Sequence, residues 1–249
     1  MWKSHADFVM NTVLFLRIRR SFFIIFILFL CFSSFLNAQT FKTVYLSNGA
    51  KAYLYIPSHF DPKKKYPVLM ALHGMGQSAQ SALTAWKKVA ETYHYILICP
   101  QGSDFKEGYV REPIDDRKRF IEFHDWLKSH YKINQADSVI AGFSRGGNVA
   151  IEAALLYPNR FPKAICIFGF FNQAYCQPLL EKPYSGVKKA SFYFITGKGD
   201  LTETSLKNGQ TQLQNKGISC KIHVFSSLFH AYPPDLVGEM KKIRSWWES

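Results

Sequence analysis

The hydrophobic pattern of this chain switches repeatedly between a period of two and a period near 3.6. Two extended stretches, Thr43-Val44-Tyr45-Leu46 and Ala52-Tyr53-Leu54-Tyr55-Ile56, flank Asn48-Gly49. An Asn-Gly pair tolerates the positive φ angles of a tight turn, so the segment reads as an antiparallel hairpin. Beyond a lysine-rich turn at 61–65, apolar runs of strand length alternate with segments of helical period. The run 66–72 ends at His73-Gly74, after which Leu83, Trp86, Ala90 and Tyr93 recur at helical spacing. A strand at 95–99 follows, then a helix with Phe120, Phe123, Leu127 and Tyr131 on one face. The strand 137–141 leads into a small-residue helix at 148–157, which Pro158 stops. Strands at 164–168 and 191–196 precede a helix near 203–216 that closes at Gly217. A strand at 220–225 and a helix with Leu236, Met240, Ile243 and Trp247 on one face complete the pattern.

Strands that are apolar on both sides, separated by amphipathic helices, require a mainly parallel sheet covered on both faces. The expected class is α/β, with the N-terminal hairpin as an antiparallel margin. No repeat, low-complexity tract or linker interrupts 39–249, which is expected to form one domain. The first 38 residues follow another logic. Arg17, Arg19 and Arg20 precede an apolar stretch at 21–36, and Leu36-Asn37-Ala38 puts a small residue before Gln39. The stretch is shorter than the roughly 20 residues of a membrane span. It reads as an export signal cleaved after Ala38, with an uncleaved anchor as the alternative and Met10 as a possible true start. Bulky Leu30 before Cys31 speaks against a lipoprotein. The expected location is periplasmic or extracellular, with no stable membrane insertion once the leader is gone.

The formal net charge is +13, and losing Lys3, Arg17, Arg19, Arg20 and Asp7 with the leader would lower it to +10. Such an excess favours anionic glycans or an anionic membrane face. The lysines are dispersed, at 63–65, 87–88, 188–189 and 241–242, without a basic helix, so nucleic acid is not an expected partner. Of the remaining cysteines, Cys99, Cys166 and Cys220 fall in or beside apolar strands, and Cys176 lies apart. Buried free thiols are the plain reading, although export permits disulfides. No Cys-x-x-Cys or His-x-x-x-His spacing occurs, so neither a metal nor another cofactor is expected.

The chemistry concentrates at Gly142-Phe143-Ser144-Arg145-Gly146-Gly147. Gly-x-Ser-x-Gly between a strand and a helix is the nucleophile elbow: a strained turn projects the serine, and the glycines remove side chains that would clash. A serine hydroxyl needs a neutral histidine as base, and that histidine needs a carboxylate to set its tautomer. The order Ser, acid, His selects Asp200, in Thr196-Gly197-Lys198-Gly199-Asp200, and His230, in Ser227-Leu228-Phe229-His230. Asp200 also suits the N-cap of the following helix, and Glu203 is the substitute acid. His223, His124 and His130 fall within a strand or a helix and read as structural. A tetrahedral intermediate needs two backbone donors; those expected are the N–H groups of Arg145 and Met75, the latter in a loop loosened by Gly74 and Gly76. His73 reads as a brace for that loop.

His73-Gly74-Met75-Gly76, Pro100-Gln101-Gly102, the elbow, Tyr157-Pro158-Asn159-Arg160-Phe161, Thr196-Gly197-Lys198-Gly199-Asp200 and Phe229-His230 occur in the order found in α/β-hydrolase-fold serine esterases. The chain resembles their small carboxylesterase/thioesterase branch and their secreted feruloyl- and acetyl-esterase or polyhydroxybutyrate-depolymerase-like branch, from about residue 50 to the C-terminus. The resemblance implies a triad of Ser144, Asp200 and His230, an oxyanion hole at Met75 and Arg145, and cleavage of a small or glycan-linked ester. Thioesterase, peptidase and acyltransferase activities, or a non-catalytic binding module, are the alternatives on the same scaffold. Two departures stand out. Phe168-Gly169-Phe170-Phe171 replaces a small Ser-Gly and is expected to narrow the acyl pocket, with Phe143 and Phe170 as candidate substrate contacts. The segment 172–189 leaves room for only a minimal lid.

Overall fold

β1 (Thr40–Tyr45) and β2 (Lys51–Ile56) pair antiparallel across Asn48-Gly49, with Gly49 at φ 80°. The computed structural model describes residues 40–181 and 186–249; the expected leader and part of the expected lid lie outside them. β3 (Val68–Leu72), β4 (Ile96–Pro100), β5 (Val139–Phe143), β6 (Lys163–Ile167), β7 (Ser191–Gly197) and β8 (Ser219–Phe225) complete one sheet in the order β1-β2-β4-β3-β5-β6-β7-β8. β2 meets β4 antiparallel, and from β4 to β8 every pairing is parallel. β3, β4 and β5 are buried along their whole length, as strands covered on both faces must be. β8 departs from the expected apolar strand: it is an edge strand, and only Cys220 is buried in it.

The alternation along each strand divides the core into two layers. Met70, Leu72, Ile98, Ile140, Cys166 and Phe194 face one way, under α2 (Asp116–His130), α3 (Arg145–Leu156) and α5 (Leu201–Asn215). Leu69, Ala71, Leu97, Ala141, Ile167 and Ile195 face the other, under α1 (Ala79–Tyr93) and α6 (Leu236–Trp247). One helix is absent from the hydrophobic pattern. α4 (Gln173–Glu181), in the lid segment, contains Pro178 and buries only Cys176 and Leu180, too few apolar positions to mark a helical period. Among the described residues no helix is long and apolar enough to cross a membrane.

This connectivity determines where a site can form. The chain leaves β3 through α1 to reach β4 on one side, then returns across β3 through α2 to reach β5 on the other. The loops after β3 and β5 therefore diverge to opposite faces from neighbouring strand ends. Such a switch point opens a crevice at the carboxyl edge of a parallel sheet.

Candidate active site

Ser144 stands between β5 and α3 with φ 52° and ψ −120°, a strained conformation for a residue with a Cβ. Its N–H bonds to the Ile167 carbonyl at 2.8 Å, and its own carbonyl accepts the N–H groups of Gly147 at 2.9 Å and Asn148 at 3.2 Å. The flanking glycines are sterically obligatory. A Cβ at position 142 would lie 2.1 Å from the Gly146 oxygen, and one at position 146 would lie 2.5 Å from the His73 oxygen. The same absence of side chains that lets the chain turn therefore also brings the elbow against the end of β3.

His230 lies in the loop between β8 and α6, with its ring edge-on to Phe143 at 5.1 Å and to Phe168 at 5.3 Å between centroids. Phe143 immediately precedes Ser144, so the imidazole packs on the elbow's own neighbour. Phe143 is buried and stacks on Tyr232 at 4.8 Å, so the ring that His230 packs against is itself held in place. Phe168 is fully buried, at φ 50°. The Nδ1 of His230 lies 3.8 Å from Asp200 Oδ2, an ion-pair separation longer than a hydrogen bond. Backbone contact sets this approach: a Cβ on Gly197, at the end of β7, would fall 1.8 Å from the Leu228 oxygen.

Asp200 divides its carboxylate between two tasks. Oδ1 accepts the Thr202 N–H at 2.8 Å and the Thr202 hydroxyl at 2.6 Å, capping α5, while Oδ2 faces His230. The Thr202 hydroxyl in turn meets that of Thr196 at 2.8 Å, and both threonines are buried. Glu203, the substitute acid, is engaged elsewhere, accepting the Gly199 N–H at 2.6 Å and Lys207 Nζ at 2.6 Å. The other histidines are occupied structurally: His223 bonds to Glu239 at 2.6 Å, His130 stacks on Trp126, and His124 is buried beside Phe161.

The loop after β3 carries Met75, which is 59% exposed. Neither Met75 nor Arg145 donates its backbone N–H to a partner among the described residues. His73 braces this loop from within. Its Nε2 accepts the Gly102 N–H at 3.1 Å, which requires the proton on Nδ1, 2.8 Å from the Gly74 oxygen. Burial lowers the His73 pKa and keeps the ring neutral. Beyond the motif Pro100-Gln101-Gly102, the hydrophobic pattern marks no element in the segment 101–115, which packs next to this loop. Asp104 and Gly108 bridge to form a small turn, and the Lys106 carbonyl accepts the Gly76 N–H at 3.0 Å. Asp116 pins the segment by accepting the Ser103 hydroxyl at 2.7 Å and the Val110 N–H at 2.9 Å. Arg145 reaches the same segment, donating from Nε to the Tyr109 carbonyl at 3.2 Å. Asn148, buried on α3, receives the Phe170 N–H at 2.6 Å and so ties the loop after β6 to the helix that follows Ser144. Phe170 itself is 41% exposed, whereas Phe171 is core. Asn148 and Asp116 carry no sequence signal beyond being polar positions within amphipathic helices.

The fold is shared with proteins of known structure. A ferulic acid esterase superposes with TM-score 0.67 at 15% identity, covering 85% of this chain and 97% of the other. An S-formylglutathione hydrolase from Agrobacterium tumefaciens gives TM-score 0.62 at 16% identity over 86% of this chain and 95% of the other. A Bacillus cereus carboxylesterase gives 0.59 at 18% identity over 80% and 93%. These likenesses establish the α/β-hydrolase fold. Residues 44–194, more than half of the chain and including the elbow, match the profile of the family Esterase, described as "Putative esterase". A strained serine at the carboxyl edge of this sheet, within a sequence of that profile, makes the chain a member of the Esterase family and a serine carboxylic-ester hydrolase.

Proposed function

We propose that the chain is an exported hydrolase that cleaves a carboxylic ester through an acyl-serine intermediate. Ser144 Oγ is the nucleophile and His230 the base that takes its proton. Asp200 Oδ2 holds the Nδ1–H of His230 and stabilises the imidazolium. The Met75 and Arg145 N–H groups receive the oxyanion; losing one such donor typically costs ~3 kcal/mol of barrier. Protonated His230 then passes its proton to the departing alcohol, and water, activated by the same ring, releases the acid. The observation that carries this reading is the position of the His230 ring, on Phe143 beside Ser144 and 3.8 Å from Asp200. An acid–base contact of that length tightens when substrate fills the site. The leader at 1–38 is the export signal in this reading, and the compact unit 39–249 is the mature enzyme. Acetyl- and feruloyl-type esters on glycans are the substrates that the resemblance favours.

Two measurements test this. The parent chain should hydrolyse p-nitrophenyl acetate and be labelled by a fluorophosphonate, and Ser144→Ala should lose both. A Ser144→Ala variant with the parental rate would end the proposal. Retention of labelling in His230→Ala at the parental speed would remove His230 from the base role.

A further inference from the structure

Tyr109 is fully buried in the segment between β4 and α2, and the chemistry above gives it no task. A buried phenol usually needs one polar partner. This one has two, at the ends of two neighbouring parallel strands. Its hydroxyl donates to the Pro100 carbonyl of β4 at 2.8 Å and accepts the His73 N–H, just past β3, at 3.1 Å. Its ring lies against the His73 imidazole at 4.6 Å and edge-on to Phe120 at 5.5 Å. Its own carbonyl takes Arg145 Nε at 3.2 Å. The turn that leads to it is stiff. Asp104 and Gly108 exchange two backbone hydrogen bonds at 3.0 Å, and Asp104 Oδ1 accepts the N–H groups of Lys106 at 2.8 Å and Glu107 at 2.7 Å. Gly108 is seated on His73, where a Cβ would lie 3.3 Å from Cε1 of the ring. With the Lys106 carbonyl on the Gly76 N–H, this segment grips the chain on both sides of Met75.

We propose that Tyr109 is a positioning residue that sets the spacing between the two oxyanion donors, the N–H groups of Met75 and Arg145; the inference rests on the acyl-serine reading above. The donors belong to different elements, and backbone donors stabilise an oxyanion only when they are already in place as its charge develops. The elbow is fixed by its glycines, and Gly146 abuts the His73 carbonyl. The Met75 loop is exposed and must be held against the elbow from elsewhere. Tyr109 does this by taking the His73 N–H with its hydroxyl and the Arg145 side chain with its carbonyl. The ring alone would fill the same volume, so the hydroxyl is the part that joins the end of β3 to the end of β4. Being fully buried, Tyr109 meets no substrate atom and acts through His73 and Arg145.

The test is Tyr109→Phe in the full chain, which removes the hydroxyl and keeps the ring. On p-nitrophenyl acetate kcat should fall about tenfold, short of the roughly hundredfold or more that follows loss of an oxyanion donor, while KM stays within about twofold. Affinity for phenylboronic acid should fall by the same factor as kcat, because its tetrahedral adduct on Ser144 places an oxygen between the same donors. The pH profile of kcat/KM should keep its midpoint, since the pair of His230 and Asp200 is untouched. A kcat within about twofold of the parent, a rise in KM that accounts for the loss, an unchanged boronate affinity or a shifted midpoint would each overturn the inference. Arg145→Met cuts the tie at its other end and keeps the backbone donor, so it should show the same split between kcat and KM. It carries the test if Tyr109→Phe fails to fold by circular dichroism, and a parental kcat in it then overturns the inference. Where both fold, the double variant should lose less than the product of the single losses, because both cut one tie; losses that multiply would mean two independent supports and overturn it. Ser144→Ala separates the two readings. If it keeps the parental rate, the hydrolase reading has failed and this inference falls with it; if it is inactive while Tyr109→Phe is parental, only this inference fails.

Discussion

Asp200 shows how little a single residue need be confined to one role. Its two carboxylate oxygens point at different elements, one capping α5 and one facing His230, so the helix cap orients the carboxylate proposed as the acid. The Thr196 and Thr202 hydroxyls extend that support inward. Thr202→Val should therefore lower kcat about five- to tenfold with little change in KM, the kinetic equivalent of one hydrogen bond of roughly 1–1.5 kcal/mol, and Thr202→Ser should restore it. Equal kinetics in Thr202→Val and the parent would show that Asp200 needs no such support. His124 presents the opposite case, a buried ring with no chemical task. Neither ring nitrogen has a hydrogen-bond partner, and Nδ1 is 3.8 Å from Asp125. Burial depresses its pKa from 6.5 to about 4. The folded protein thus resists protonation that the unfolded chain accepts, and stability falls as pH drops from near 6.5 toward 4. The full loss is roughly 3 kcal/mol. His124→Leu should flatten this limb in denaturant titrations at several pH values; an unchanged limb would assign it to other groups.

At the scale of elements, the site depends on close backbone approach. The methyl of Gly197→Ala would sit on the Leu228 carbonyl and push the His230 loop away from β7. We expect kcat/KM to fall by about a hundredfold, the usual cost of an ångström of misplacement, with helix content by circular dichroism unchanged. Near-parental activity would show that the loop adapts. The helix that follows Ser144 is also held by charge. Glu152 is fully buried on α3 and takes Arg111 Nε at 2.8 Å and Arg117 at 3.3 Å, while the Arg111 guanidinium covers the Tyr175 ring of α4 at 3.7 Å. One carboxylate thereby joins segment 101–115, α2, α3 and α4. Glu152→Ala leaves Arg111 without its counter-charge, while Arg117 keeps Asp115 at 2.8 Å, and should cost ~3–5 kcal/mol, seen as a lower urea midpoint. A loss under ~1 kcal/mol would mean that water replaces the carboxylate without penalty.

For the whole molecule, the core is closed by packing rather than by covalent bonds. Cys99, Cys166, Cys176 and Cys220 are all free and buried, and burial raises their pKa values, that of Cys166 to about 12. A thiol reagent should leave these four unmodified until the protein unfolds, and reductant should not shift Tm. Rapid modification of any of the four in native buffer would contradict the packing. This agrees with the plain reading of Cys99, Cys166 and Cys220 from their positions in or beside apolar strands, alongside the export proposed above.

The amino-acid sequence alone determined the α/β class, the order of strands and helices, the elbow at Ser144 and the selection of Asp200 and His230. Each of these rests on local physics: periodicity, turn geometry, or the chain order that a parallel sheet imposes on loops at one edge. It did not reveal α4, because Pro178 and sparse burial erase the helical period, nor the wall formed by 101–115, because turns held by Asp104 and Asp116 leave no hydrophobic pattern. Phe143 and Phe170 read alike as aromatic candidates; only packing separated Phe143, buried against His230, from Phe170, which is exposed. The division of the Asp200 carboxylate and the Glu152 junction were decided by tertiary structure. They bring together residues far apart in the chain, and one-dimensional spacing carries no trace of such meetings.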